Sequence, residues 1–226
     1  MLIAIALGYA VCFQLGQVPA ALLLIGGEFG LALWQRGTIV SSMSFLMAVT
    51  GLLVGIWANR YHAERVALMA LGIAIAAGFA GAAATNFLLL LIARLLEVLG
   101  YITAMASLPA IVAKHCAPQD RPFAMAVWDS TVPGGLAVKL LRSPALVEFG
   151  GVGWRGLLIV TALGIALVAT IFFLRVRPLP LNEQAADVQS PWADLRQTIN
   201  VQTLYLVFLA VVCFLPTILV EQSVFS

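Results

Sequence analysis

Two stretches of this chain, 38–58 and 156–174, contain no ionisable side chain, and four further long apolar stretches lie before Arg177. Each runs to roughly 20 residues, the length at which a helix rising ~1.5 Å per residue crosses a hydrocarbon core of about 30 Å. Lipid offers no partner to a backbone N–H or C=O, so each stretch must pair its own backbone groups as a helix. The fold class that follows is all-α, a polytopic transmembrane helical bundle. Composition agrees: 62% of residues are hydrophobic and 10% charged, where a water-soluble domain carries about a quarter charged residues.

Several classes of function drop out. The net charge of +2 is small and scattered, and no Lys/Arg stripe with interleaved aromatics suggests nucleic acid. Cys12, Cys116 and Cys213 lie far apart, and the histidines, His62 and His115, do not complete a zinc-ligand spacing. No metal and no cofactor are expected. The chain has no Gly-rich phosphate loop ending in Gly-Lys-Ser/Thr, no Gly-x-Ser-x-Gly elbow and no His-Glu-x-x-His, so no catalytic residues are assigned and an enzyme is not expected. The first apolar run lacks a basic start and is longer than a signal-peptide core, which makes it a retained helix.

Expected spans are 2–25, 38–58, 66–84, 87–113, 123–141 and 156–174, with Pro19 inside the first and Thr85-Asn86 turning into the fourth. A polar, proline-bearing linker over 178–202 follows the bundle of 1–177, and a seventh apolar run occupies 204–220 within 203–226. Counting Lys and Arg in the connections puts Arg60, Arg65, Lys114, Arg121, Arg175, Arg177 and Arg196 on one side. Arg36, Lys139, Arg142 and Arg155 lie on the other. The excess places the amino terminus and the linker in the cytoplasm of a multi-pass protein of the inner (plasma) membrane. Lys139 and Arg142 are read as snorkelling outward from a helix end. Trp34, Trp57 and Trp154, near span ends, are read as interfacial anchors.

Charge inside a span is the strongest pointer to chemistry, because at depth it costs about 3 kcal/mol or more. Arg94 and Glu97 sit two to three turns into the fourth span, and a spacing of three puts them on one helix face. That face either lines an aqueous pathway, with Arg94 holding an anion and Glu97 accepting a proton, or locks the helix to its neighbours through an ion pair. Gln14 and Gln17 share a face of the first span and offer donors and acceptors at smaller desolvation cost. They are solute-contact candidates, with interhelical hydrogen bonding as the rival. Asp129 enters the fifth span from the cytoplasmic side and is expected to differ from Arg94 in depth by over ~15 Å, which suits a gating or structural role.

Four segments carry a family resemblance. The turn Gly55-Ile-Trp-Ala-Asn59-Arg60-Tyr-His62-Ala-Glu-Arg65 resembles the major facilitator signature G-x-x-x-D-R-x-G-x-[RK]-[RK], with Asn59 at the acidic position and His62 at the second glycine. Arg94-Leu-Leu-Glu97-Val98-Leu-Gly100 is similar to the family's R-x-x-q-G-x-G. Val132-Pro133-Gly134-Gly135 resembles part of a Gly-Pro-rich antiporter segment, and Gly153-Trp154-Arg155 resembles the Gly-Trp-Arg opening common before the sixth helix. Cyanate/nitrate-type bacterial permeases look nearest within the superfamily.

The resemblance implies a six-helix amino-terminal half, a cytoplasmic linker and the start of a second half. It implies a secondary transporter that moves a small polar or anionic solute, with or without protons, by alternating access. Gly55, Asn59, Arg60, Asp129, Pro133 and Gly134 would serve gating. Partners would be the lipid bilayer, the solute, and a missing carboxy-terminal half or a second copy. A lone half has no second body to rock against, so poor transport by this chain alone is expected. A non-transporting scaffold derived from a transporter half is the alternative. A seven-helix receptor fits the span count, but not the long linker.

Overall fold

The computed structural model describes residues 2–58, 61–148 and 153–175. They belong to one unit, Met1–Glu183; the other unit, Gln184–Ser226, lies outside the described residues, and so do the whole of the expected linker and the seventh run. Among the described residues every regular element is helical.

The first helix, α1 (Leu2–Glu28), continues through Pro19. It stops where Gly30 takes φ +60, a left-handed conformation that costs glycine nothing. Leu31 N–H then reaches back to Gly26 C=O at 3.0 Å, closing the end in a Schellman pattern. Leu31 and Ile25 bury together beside that turn. The second helix, α2 (Leu33–Ala58), begins five residues before the apolar run that announced it.

Helices α3 (Ala63–Ala82) and α4 (Phe87–Lys114) form an antiparallel pair. Asn86 caps α4 by accepting the Leu89 N–H at 2.9 Å, the turn expected from Thr85-Asn86. The pair approaches closely at Gly100, where a Cβ would stand 2.9 Å from Ala70 O and 2.9 Å from Ala74 N. Small residues at such a crossing let two backbones meet in lipid. In α3, Gly78 meets Ala162 of the last helix and Gly81 meets Ala93, whereas Gly72 has open space around it.

The expected fifth span is not one helix. A short 3₁₀ turn, Pro118–Asp120, leads into α5 (Arg121–Asp129), and α6 (Thr131–Glu148) follows after Ser130. Pro133 explains the break: it has no N–H to offer the Asp129 carbonyl four residues back, and its ring crowds that carbonyl. The last described helix, α7 (Gly153–Arg175), spans the sixth run. By length and apolarity, α1, α3, α4 and α7 are each able to cross a membrane.

Contacts at the helix ends set their directions. Glu28 at the end of α1 pairs with Arg155 at the start of α7, and Glu64 at the start of α3 pairs with Lys114 at the end of α4. The apolar core between them is divided. One cluster includes Leu7, Val11, Cys12, Leu71, Tyr101, Leu108, Trp128, Ile165 and Phe172. The other includes Val18, Ile25, Leu31, Ile39, Leu90, Trp154 and Leu158.

Candidate functional site

The gap between those clusters is polar. On α1 the first cluster ends at Cys12 and the second begins at Val18, and Gln14 and Gln17 fall between. On α4 Leu90 belongs to one and Val98 to the other, with Arg94 and Glu97 between; on α7 Leu158 and Ile165 bracket Thr161. Three helices thus bring polar side chains to one level near the middle of the bundle, each helix doing so by interrupting its apolar face for about a turn.

The geometry is that of a hydrogen-bonded ion pair. Arg94 Nη1 stands 2.5 Å from Glu97 Oε2 across one turn of α4, and the two side chains are 4% and 5% exposed. Gln17 Nε2 donates to the other carboxylate oxygen, Oε1. Arg94 Nη1 also donates to the Gln14 backbone carbonyl at 3.1 Å, and Nη2 faces the Met43 sulfur of α2 at 3.9 Å. Gln14 Nε2 donates to Ala74 O of α3 at 3.3 Å. A buried ion pair recovers its desolvation cost only when such further bonds are made. Here they are incomplete: among the described residues Arg94 Nε, Gln14 Oε1 and Gln17 Oε1 make no hydrogen bond.

Lys139 joins this layer and was missed from sequence. It does not snorkel outward: it is buried, and its Nζ donates to Thr161 Oγ1, which in turn donates to Leu157 O at 2.8 Å. It also lies within electrostatic reach of Glu97. The cause is helix packing. Gly8, Cys12 and Gly16 of α1 meet Thr131, Gly135 and Lys139 of α6 at successive four-residue steps. A Cβ on Gly16 would stand 3.2 Å from the Lys139 stem. The signal was present as two matching i, i+4, i+8 series, but hydropathy does not register it.

Of the expected gating residues, Gly55, Asp129, Pro133 and Gly134 are among the described residues. Asn59 and Arg60 lie outside the described residues. A Cβ on Gly55 would meet nothing within 4 Å. Asp129 is exposed at the end of α5. Pro133 and Gly134 open α6, where Gly134 lets the Tyr9 ring approach. Trp154 is buried at the start of α7, and its Nε1 donates to Glu28 Oε2 at 2.5 Å. Trp34 and Trp57 are exposed.

The family model described as the Major Facilitator Superfamily matches residues 2–224. The chain belongs to the major facilitator superfamily. A solved bacterial homologue of the human lysosomal transporter Spinster, inward-facing and unoccupied, superposes with a TM-score of 0.71 at 19% identity over 87% of this chain. That likeness establishes the fold, and the chain spans about half of that structure, 48%. No curated protein matches. As a facilitator-family chain with several membrane-length apolar helices, it is a multi-pass membrane protein.

Proposed function

We propose that the chain acts in secondary transport, moving a small polar or anionic solute by alternating access, with Gln14, Gln17, Arg94 and Glu97 on the solute or proton pathway. The observation carrying this reading is the polar layer itself. Two charges and two amides are placed between apolar clusters, with hydrogen-bonding capacity left over. Buried ionisable groups in membrane helices mark such pathways. The excess of Lys and Arg on one side supports a plasma-membrane orientation with the amino terminus and the 178–202 linker in the cytoplasm. Gly55, Asn59, Arg60, Asp129, Pro133 and Gly134 belong to gating in this reading.

The rival is an interhelical lock, favoured by the near-complete burial of Arg94 and Glu97. Proteoliposome uptake of a panel of labelled small solutes, driven by an ion or proton gradient, separates the two. Transport requires that Arg94→Ala and Glu97→Gln abolish uptake while membrane insertion stays normal. Loss of insertion with either variant supports the lock, and unchanged uptake in both refutes the pathway.

A further inference from the structure

We infer that the polar layer recognises a neutral solute carrying a primary amide or urea group. The oxygen of that group takes the unmet N–H groups of Arg94, and its own N–H groups serve Gln14 and Gln17. The inference rests on the transport reading above and names the chemical class of its solute.

The atoms left over decide the class. Arg94 Nε makes no hydrogen bond among the described residues, and Nη2 faces the Met43 thioether at 3.9 Å, a weak acceptor. Nε and Nη2 are neighbours on one edge of a planar guanidinium, so a single carbonyl oxygen can take both. Gln14 Oε1 and Gln17 Oε1 likewise make no hydrogen bond among the described residues. What the nitrogens hold sets the orientation of both amides. Gln14 Nε2 donates to Ala74 O at 3.3 Å, and Gln17 Nε2 donates to the Glu97 carboxylate. A backbone carbonyl and a carboxylate only accept, so the NH2 is the end that meets them and the amide oxygen is the end left over.

These atoms belong to one connected group. Arg94 Nη1 reaches the Gln14 backbone carbonyl at 3.1 Å and Glu97 Oε2 at 2.5 Å, and Gln17 takes the other oxygen of Glu97. The Arg94 charge is thus met by a carboxylate in direct contact, and what stays open on these side chains is hydrogen-bonding capacity. A solute that only accepts, such as a ketone or a simple carboxylate, leaves both glutamine oxygens unserved. A group with an oxygen and an NH2 on one carbon serves both kinds of atom at once. Buried polar atoms without partners are costly, and the three unmet atoms are closed to solvent. A solute that supplies the missing bonds recovers that cost. The Arg94–Gln14 and Gln17–Glu97 bonds join α4 to α1, and their opening admits it.

Acetamide, acetone and acetate test this, because they are nearly alike in size and shape. The first has a carbonyl and an NH2, the second a carbonyl alone, and the third two acceptor oxygens with a negative charge. Binding is read by saturation-transfer NMR on the ligand methyl group, titrated against the purified full chain in detergent at constant ionic strength. Protein-free micelles are the blank. Acetamide is expected to bind at least tenfold more tightly than either of the others. Gln14→Met and Gln17→Met are each expected to lower the preference for acetamide over acetone at least threefold, a ratio that general loosening of the bundle would leave unchanged. Should one variant fail to fold, the other reads the same ratio, and the three probes on the unaltered chain need neither.

Acetone binding as tightly as acetamide overturns the donor requirement, and acetate binding as tightly overturns the neutral solute. An unchanged preference in either glutamine variant overturns the part given to that glutamine. Absence of acetamide binding overturns the inference as a whole. Arg94-dependent uptake of some other solute would leave the transport reading standing in that event.

Discussion

Arg94 and Glu97 depend on each other more than on anything around them. Removing one partner leaves an unpaired buried charge, which typically costs about 3–5 kcal/mol, whereas replacing both with apolar residues is often neutral or better. Arg94→Leu is therefore expected to lower the thermal midpoint of the purified chain sharply. Arg94→Leu combined with Glu97→Leu is expected to restore much of it, as a double-mutant cycle in detergent will read. A double variant as unstable as the single one would mean that the pair's other contacts, to Gln17 and the Gln14 carbonyl, matter more than its charge. This pair was legible in sequence because a spacing of three on one helix is local geometry. Lys139 was not: its neighbours Gly16 and Thr161 are remote in sequence, and the same residue on an unpartnered helix end would reach for water.

Helices here meet where side chains are missing. A Cβ on Gly135 would lie 2.6 Å from Cys12 Cβ, while one on Gly72 would meet nothing within 4 Å. Gly135→Ala is expected to push α6 off α1 and cost about 1–3 kcal/mol, the usual range for overpacking. Gly72→Ala removes a helix-interior glycine without a clash and is expected to gain roughly 0.5–1 kcal/mol. Thermal unfolding of the two variants should move in opposite directions, and a shared direction would show that α1 and α6 are not packed as described. Both glycines stand in apolar helical runs, so composition alone treats them alike. The split between α5 and α6 was likewise readable only in part: Pro133 announced a disturbance, but hydropathy carried the span straight across it.

Across the whole molecule, one cluster ties three helix ends together. Arg155 Nη1 donates to the Ala82 and Ala84 carbonyls at the end of α3, both at 2.8 Å, while Nη2 meets Glu28 Oε1 at 2.7 Å. The guanidinium also stacks 4.5 Å from the Trp154 ring. The carbonyl bonds are the larger part, because the pair with Glu28 is open to solvent and exposed ion pairs contribute little. Arg155→Ala is expected to cost about 1–3 kcal/mol through the lost charged hydrogen bonds, and Glu28→Gln distinctly less. A comparison of thermal midpoints checks the order, and a larger loss for Glu28→Gln would reverse it. From sequence alone came the helical class, the approximate places of the apolar runs, the family resemblance and the Arg94–Glu97 pair, all set by hydropathy, short motifs or neighbours within one turn. Tertiary structure alone decided that Lys139 and Trp154 turn inward, that α6 lies against α1, and that the polar groups share one level between two apolar clusters. Those outcomes depend on which helix stands opposite which, and no single segment carries that information.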